Sequence, residues 1–258
     1  MEQPLLEVHK LGKHFGGVQA LDGLDLCVAR NAILGLIGPN GSGKTTFFNV
    51  VTGIYPASAG RVLLEGRDIT NLSPQRVYRA GVARTFQRSR LLLPLSILDN
   101  IALGDHSRLN HGLIFNLLRR GRLAAQFVEC RDKARELLET FDPELGGRLL
   151  EPVASLPMIS RRRIEICRAL ISGPKLLLLD EPSAGMTHEE TFRLVDDILA
   201  VKQRLEDLTI IIIEHEMSVM ERITDHCAVL NFGTKICEGA YAQVAADPLV
   251  QEAYLGVD

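Results

Sequence analysis

The sequence has no long apolar run. Among its 258 residues, the longest runs of leucine or isoleucine lie at residues 176–179 and 210–213, whereas a helix needs about 20 apolar residues to cross roughly 30 Å of hydrocarbon. Residues 1–10 contain Glu2 and Glu7 instead of an apolar stretch, so we expect no secretory signal. If this chain acts at a membrane, partner proteins must hold it there.

The sequence also lacks an excess of charge of either sign. Its 29 lysines and arginines stand against 32 aspartates and glutamates. This balance is not the basic composition of a dedicated nucleic-acid-binding domain, so we expect no nucleic-acid partner. A hydrophobic fraction of 46% and a charged fraction of 24% are ordinary for a globular protein.

Closely spaced cysteine pairs are absent as well. The chain has five cysteines, an odd number, and no C-x-x-C motif, which favours reduced thiols over disulfides or a zinc site. Free cysteines are usually buried. We therefore predict that all five are packing residues, namely Cys27, Cys130, Cys167, Cys227 and Cys237.

The apolar pattern predicts an α/β fold. Alternating residues near the N-terminus indicate short antiparallel strands on both sides of a glycine-bearing turn. The pattern predicts a buried strand at Ile33–Ile37, which runs into Gly38, and a helix at Lys44–Val51. Further apolar strands at residues 176–179 and 209–213, separated by a helical stretch, indicate a parallel sheet that is buried on both faces.

Between these strands, hydrophobic residues recur at helical spacing, which predicts an inserted helical subdomain. Ser96 and Asp99 match a capping box there, in which a hydroxyl and a carboxylate satisfy the first free N–H groups of a helix. The predicted domains are a core of residues 1–87 and 157–258, with an antiparallel β part and a C-terminal tail, and the insertion at residues 88–156, which continues to about residue 172.

A glycine-rich segment follows the first buried strand. It fits the pattern G-x-x-x-x-G-K-[ST] and lies between a predicted strand and a predicted helix, as a phosphate-binding loop requires. Glycines let backbone N–H groups turn toward phosphates, the helix adds its positive dipole end, Lys44 pairs with the β- and γ-phosphates, and Thr45 can hold Mg²⁺. We predict that ATP is bound by Gly38, Pro39, Asn40, Gly41, Ser42, Gly43, Lys44, Thr45 and Thr46.

Two adjacent carboxylates, Asp180 and Glu181, follow the apolar strand at residues 176–179. Open α/β sheets place their ligands at the carboxyl ends of the strands. We predict that Asp180 holds Mg²⁺, directly or through water, and that Glu181 orients the attacking water as a general base. The alternative is an ordinary solvated strand end before the turn at Pro182.

His215 stands just after the strand at residues 209–213, at the same sheet edge if the strands are parallel. We predict that it donates to the γ-phosphate or to the attacking water, and that its neighbours Glu214 and Glu216 are surface charges.

Gln87 and Phe15 complete the candidate site. Gln87 follows a predicted strand at residues 82–86 and opens the helical insertion, so its amide could contact Mg²⁺ and the γ-phosphate while the insertion moves. Phe15, beside a strand end, could stack on adenine. The alternative is that it is an ordinary core aromatic.

The order of these motifs, from the phosphate-binding loop to His215, resembles the ATP-binding subunit of ATP-binding cassette (ABC) transporters over nearly the whole chain. That resemblance implies a P-loop NTPase core, with a mixed sheet and an antiparallel N-terminal β part, and an inserted helical subdomain. Within the family, residues 15–17, 83–87, 184–187 and 253–256 resemble the ATPases of branched-chain amino acid importers. The ATPases of urea and short-amide importers are similar too.

The resemblance also implies a head-to-tail dimer, with each ATP between one subunit's phosphate-binding loop and the other subunit's signature segment. Transmembrane permease subunits would dock on the helical subdomain, and a periplasmic binding protein would deliver the substrate. This subunit would then lie peripherally at the cytoplasmic face of the inner or plasma membrane. ATP binding would close the dimer and hydrolysis would open it.

The chain departs from the family at the signature segment. The family pattern is Leu-Ser-Gly-Gly-Gln, or Leu-Ser-Tyr-Gly-Gln in the nearest relatives, whereas residues 156–160 read Leu-Pro-Met-Ile-Ser. Pro157 has neither a hydroxyl nor an N–H, and Ile159 places a branched side chain where glycine would let the backbone approach a phosphate. We hypothesise that a working signature comes from a non-identical partner ATPase, in a heterodimer. The alternative is that this helix start tolerates variation without consequence.

A soluble ABC ATPase without transport is the alternative from another class. Chromosome proteins of this family carry long coiled coils and translation factors carry two cassettes, and the sequence has neither feature. The iron–sulfur assembly scaffold subunit matches the landmarks poorly. A subunit that binds ATP without hydrolysing it is disfavoured because Glu181 and His215 are both present.

Overall fold

The structure is a computed structural model that describes residues 3–105 and 120–255. The described residues form two compact units. The first unit contains residues 3–84, 175–182 and 206–255, and the second contains residues 85–105, 120–174 and 183–205. The predicted division into a core and a subdomain at residues 88–156 stays a prediction, because compactness alone does not show which segments fold independently.

The strands of the described chain are β1 (Leu6–Phe15), β2 (Val18–Val28), β3 (Ile33–Ile37), β4 (Ala59–Leu64), β5 (Arg67–Asp68), β6 (Val82–Arg84), β7 (Leu176–Asp180), β8 (Thr209–Ile213), β9 (His226–Asn231) and β10 (Thr234–Gly239). The α-helices are α1 (Lys44–Val51), α2 (Pro74–Ala80), α3 (Ile97–Ala102), α4 (Arg120–Phe141), α5 (Pro143–Gly147), α6 (Met158–Leu170), α7 (His188–Arg204), α8 (Met217–Ile223), α9 (Tyr241–Ala245) and α10 (Pro248–Leu255).

The first unit contains two sheets. The antiparallel sheet has the strand order β2-β1-β4-β5, and the larger sheet has the order β10-β9-β3-β8-β7-β6. In the larger sheet β9, β3, β8, β7 and β6 pair in parallel, and only β10 is antiparallel. Strands β3, β7 and β8 are buried at every residue, as their uninterrupted apolar runs require. The predicted α/β class with an antiparallel N-terminal part is confirmed.

The core of the first unit joins both sheets to helix α1. Phe47 and Phe48 are fully buried and belong to one hydrophobic cluster with strand residues such as Leu6, Leu36 and Leu178. Burying a side chain of this size contributes about 1.5–3 kcal/mol to stability. Helix α1 is therefore fixed on the sheet by its aromatic face.

The second unit is mostly helical. The predicted capping box starts α3, because Ser96 Oγ accepts from the Asp99 N–H and the Asp99 side chain accepts from the Ser96 N–H. Arg163 ties three elements together: its guanidinium binds Asp142 at 2.7 Å and Asp197 at 2.8 Å. Burial raises the pKa of the Asp197 carboxyl, and the neighbouring Arg163 opposes that rise. None of the described helices combines the length and the apolar composition that a membrane-spanning helix needs.

Two local predictions are wrong. Strand β6 ends at Arg84 and not at residue 86, because its ladder with β7 stops at the pair of Arg84 and Leu178. The Phe86 ring stacks on the Arg90 guanidinium at 3.6 Å. Cys27 is exposed, since its neighbours on β2 alternate inward and turn its thiol outward, and Cys237 is only partly buried. The remaining cysteines are buried, as predicted, at Cys130, Cys167 and Cys227.

Candidate functional site

Three neighbouring parallel strands deliver the predicted site residues to one sheet edge. Strands β3, β8 and β7 lie side by side, with Leu34 opposite Ile211 and Leu178 opposite Ile211 on the other side. Their carboxyl ends are followed by Gly38, His215 and Glu181. Parallel pairing therefore brings together segments that are far apart in the sequence.

The glycine-rich loop has a conformation that only its glycines adopt without strain. Gly38, Gly41 and Gly43 have φ angles of 146°, 82° and 107°. A Cβ at Gly38 would overlap the carbonyl oxygen of Leu230, and one at Gly43 would lie 2.6 Å from that of Ala20. The loop thus turns tightly against its neighbours and enters α1, whose N-terminus has no side-chain cap.

Lys44 is folded back onto the loop that precedes it. Its Nζ donates to the carbonyl oxygens of Gly38 at 2.6 Å and Pro39 at 2.9 Å, and to Ser42 Oγ at 3.4 Å. Burial lowers the pKa of the Lys44 ammonium, and the negative charges of Glu181 and Asp180 oppose that shift. A buried ammonium in this position holds oxygen ligands at the loop centre.

Glu181 and His215 form a hydrogen-bonded pair. The distance from His215 Nε2 to Glu181 Oε1 is 2.8 Å. The backbone of Glu181 has a φ angle of 48°, in the left-handed region that glutamate rarely adopts. Its N–H donates to the Ile213 carbonyl at 2.9 Å, so the end of β8 holds this backbone in place. Such strain concentrates at functional positions.

These groups surround a single cavity of about 150 Å³ in the first unit. The cavity brings together the predicted Asn40, Gly41, Ser42, Gly43, Lys44, Thr45, Thr46, Glu181 and His215, and Ala20 from β2 joins them. A set of backbone amides, an ammonium, hydroxyls and a carboxylate can bind an anion and activate a water molecule beside it.

Asp180 has a partner that the sequence analysis missed. Its Oδ2 accepts from Arg84 Nη2 at 2.6 Å, and both side chains are about 95% buried, with exposures of 4% and 5%. Arg84 Nη1 also donates to Asn49 Oδ1 on α1 at 2.7 Å, and its guanidinium lies 5.3 Å from the Phe48 ring centroid. The sequence does contain one indication of this pair, because Arg84 is a lone arginine at the end of a short apolar strand.

Phe15 and Gln87 lie outside the cavity lining. Phe15 is 42% exposed, contacts Tyr55 edge to face at 5.2 Å, and has Lys13 Nζ 4.7 Å from its ring centroid. It is therefore a surface aromatic and not a core residue. Gln87 belongs to the second unit, where its carbonyl accepts from Arg162 Nη2 at 3.3 Å.

Glu214 corrects another expectation. It is only 5% exposed and not a surface charge, and its Oε2 accepts from the backbone N–H of His215 at 3.3 Å. A carboxylate buried next to the histidine supports the turn that presents the imidazole. Glu216 is partly exposed and accepts from Ser218 Oγ at 2.8 Å.

Comparison with known proteins places these features in a family. The family described as ABC transporter matches residues 21–184, and the family described as branched-chain amino acid ATP-binding cassette transporter matches residues 234–258. The chain is 37% identical to the high-affinity branched-chain amino acid transport ATP-binding protein LivG of Escherichia coli (strain K12), with 99% of each protein covered. It is 35% identical to BraF of Pseudomonas aeruginosa, with the same coverage. A solved nucleotide-free ATP-binding cassette from an ABC transporter superimposes with a TM-score of 0.84 at 31% identity, covering 99% of this chain and 100% of that one.

Proposed function

Since this chain belongs to the ABC transporter family, we propose that it is the ATP-binding and ATP-hydrolysing subunit of an importer for branched-chain amino acids. The observation that carries the proposal is the meeting of Lys44, Glu181 and His215 around the cavity at the carboxyl ends of β3, β7 and β8. The family matches and the full-length similarity to LivG and BraF support the same assignment.

The geometry supports a specific division of labour. The N–H groups that follow Gly38 in the glycine-rich loop and the N-terminus of α1 would bind anionic phosphates, and Lys44 would exchange the carbonyl oxygens of Gly38 and Pro39 for β- and γ-phosphate oxygens. Glu181 accepts a hydrogen bond from the attacking water and polarises it. His215 Nε2 lies 2.8 Å from Glu181 Oε1 and fixes the direction of that carboxylate. Once ATP is bound, the same N–H would turn to donate toward the γ-phosphate instead.

Mg²⁺ would be held by Thr45 Oγ1 and the Asp180 carboxylate. Gln87 stays a predicted further ligand, because it belongs to the second unit. Magnesium typically binds one or two protein oxygens together with substrate phosphates. The donors fit that pattern, because a hydroxyl and a carboxylate are the hard oxygen ligands that Mg²⁺ prefers. When bound with ATP, the ion would neutralise charge on the β- and γ-phosphates. Arg84 holds Asp180 Oδ2 and thereby orients the other carboxylate oxygen.

Phe15 is proposed to contact the adenine base. Phe15 is 42% exposed at the end of β1, where its ring contacts Tyr55 and Lys13, and stacking would use the exposed part of the ring. Stacking of this kind binds the base without reading its identity strictly.

The partners follow from the proposed role. Transmembrane permease subunits would carry the substrate, a periplasmic binding protein would deliver it, and this subunit would lie peripherally at the cytoplasmic face of the membrane. ATP binding by this chain would then drive the permeases between conformations that open to opposite sides.

The start of helix α6 supports a heterodimer. Pro157 occupies the N-cap position without a side-chain hydrogen bond, and Met158, which follows it, is 49% exposed. Pro157 offers no hydroxyl, and Ile159 stands one residue further in the first turn. Such a helix start is a poor clamp for a γ-phosphate across a dimer, so a non-identical ATPase would supply the competent signature.

The heterodimer proposal predicts that the purified chain alone hydrolyses ATP slowly. Mixing it with the partner ATPase should raise the steady-state rate by about 10²-fold, since one lost set of phosphate donors costs about 10²–10³ in rate. Phosphate release measured for each subunit alone and for the mixture gives the comparison. Fast hydrolysis by the lone chain, at the rate of the mixture, would exclude the proposal.

Substrate-stimulated ATPase activity in proteoliposomes tests which substrate the importer carries. The chain is co-purified with its permeases and partner ATPase, and ATPase activity is recorded with the binding protein loaded with leucine, isoleucine or valine. We expect about tenfold stimulation by these amino acids, because closure of the dimer is coupled to the permeases. Stimulation by urea or short amides only would identify the alternative importer class. Isolation of the chain without any permease would favour a soluble ABC ATPase.

A further inference from the structure

The C-terminal helix contacts the phosphate-binding loop at its first residue. The backbone N–H of Gly38 donates to the hydroxyl of Tyr254 on α10 at 2.8 Å, across 216 positions of sequence. Tyr254 is 42% exposed as a residue, while its hydroxyl reaches the loop. Burial raises the pKa of that phenol, and the hydrogen bond from Gly38 opposes the rise, so the hydroxyl stays neutral at physiological pH.

The helix that carries Tyr254 is fixed at its other end. Asp247 precedes α10, accepts from the N–H groups of Leu249, Val250 and Gln251, and accepts from the Cys237 thiol on β10 at 3.4 Å. Val250, one helical turn before Tyr254, is 5% exposed in the core. The position of the tyrosine hydroxyl is therefore set by the fold and not by a loose tail.

Gly38 is held from both sides. Its N–H is bound to Tyr254, and its carbonyl is bound to Lys44 Nζ at 2.6 Å. The far part of the loop has its own attachment, because Ser42 O accepts from the N–H of Gly233 in the β9–β10 turn at 3.0 Å. The loop thus has two external backbone attachments, one near each end.

The residues between these attachments are not packed against the tail. A cavity of about 500 Å³ separates Pro39, Asn40 and Gly41 from Leu249 and Ala253 on α10. Tyr254 therefore acts on the start of the loop, while the segment from Pro39 to Gly41 has room to adapt to phosphates.

We propose that Tyr254 is a positioning residue for ATP: its hydroxyl holds the Gly38 N–H and keeps the loop in its phosphate-binding shape when Lys44 leaves the Gly38 carbonyl for the nucleotide. The inference rests on the proposed ATP-binding function. Without the Tyr254 hydroxyl, the Gly38 N–H lacks this acceptor when ATP binds. At that same step the Lys44 ammonium leaves the Gly38 carbonyl. The unliganded loop keeps the Lys44 contacts, so its stability is affected less than its affinity for ATP.

The test is Tyr254→Phe in the full chain, which keeps the ring and removes only the hydroxyl. Isothermal titration with Mg-ATP should give a dissociation constant about fivefold higher than that of the wild type, the effect of one neutral hydrogen bond. The midpoint of thermal unfolding without nucleotide should change little, and the upward shift of that midpoint on adding ATP should shrink. The matched control is Tyr241→Phe on α9, a partly buried tyrosine of the same unit that does not line either cavity.

The outcomes distinguish a failure of the Tyr254 role from a failure of the proposed ATP-binding function. A weaker Tyr254→Phe variant beside an unchanged Tyr241→Phe variant supports the positioning role, and an unchanged kcat in the assembled transporter beside a raised KM for ATP supports it further. Wild-type affinity in Tyr254→Phe would overturn the role of Tyr254 alone. A lower unfolding midpoint with unchanged affinity would show that the hydroxyl only stabilises the fold. Absence of ATP binding by the wild-type chain would overturn the proposed function and this inference with it.

Discussion

Replacing Glu181 with glutamine is expected to lower the steady-state ATPase rate of the assembled transporter by a factor of about 10²–10⁴, the usual contribution of a general base. Glutamine has nearly the same shape but cannot carry the negative charge that polarises the attacking water. Its amide oxygen can still accept from His215 Nε2, which lies 2.8 Å from Glu181 Oε1 in the wild type. ATP binding should therefore be retained, and the nucleotide-bound state should accumulate.

The matched control for this variant is Glu216→Gln, which neutralises a partly exposed carboxylate one residue after His215. Rates of phosphate release and affinities for Mg-ATP are measured for both variants with the same partner subunits. The control should keep its rate within about twofold, as surface charges contribute little. If Glu181→Gln hydrolyses ATP at the wild-type rate, Glu181 is not the base. The double variant Glu181→Gln/His215→Ala should lose less activation free energy than the sum of the two single variants, because paired catalytic residues act as a unit.

Replacing Arg84 with methionine is expected to lower the free energy of unfolding by about 3–5 kcal/mol, because it leaves the Asp180 carboxylate buried without its cation. Arg84 Nη2 lies 2.6 Å from Asp180 Oδ2, and both side chains are almost fully buried. The Asn49 amide and the Phe48 ring on α1 would lose a contact as well. Urea unfolding followed by circular dichroism gives the free energy.

A double variant and a surface control make this measurement decisive. Arg84→Met combined with Asp180→Leu removes both charges and should recover most of the lost stability, since apolar replacements of buried ion pairs are often neutral. Arg30→Met breaks the exposed pair between Arg30 and Glu65 and should cost less than about 1 kcal/mol. Equal losses for Arg84→Met and Arg30→Met would show that the buried pair contributes no more than a surface pair.

The parts of the fold that the sequence predicted share a physical origin. Strands β3, β7 and β8 are buried on both faces, so their residues are almost all aliphatic and stand out in the sequence. The glycine-rich loop was predictable because its backbone conformations restrict it to glycine at fixed spacing. The positions of Glu181 and His215 then followed from parallel strands ending at one edge.

The parts that were missed depend on contacts between distant residues. Arg84 meets Asp180 across 96 positions, and Tyr254 meets Gly38 across 216. The residue type alone does not predict either contact, because arginine and tyrosine are also common on surfaces. Glu214 was misassigned since its burial depends on the turn that it makes with the His215 backbone. The exposure of Cys27, by contrast, was readable from the alternation of its β2 neighbours.

The backbone conformation at position 181 limits the stability of this protein. With a φ angle of 48°, the backbone there suits asparagine or glycine better than glutamate, whose side chain makes that conformation cost on the order of 1 kcal/mol. The backbone conformation of the residue proposed to activate water therefore lowers the stability of the fold. Glutamate at this position therefore trades some stability for the proposed activity.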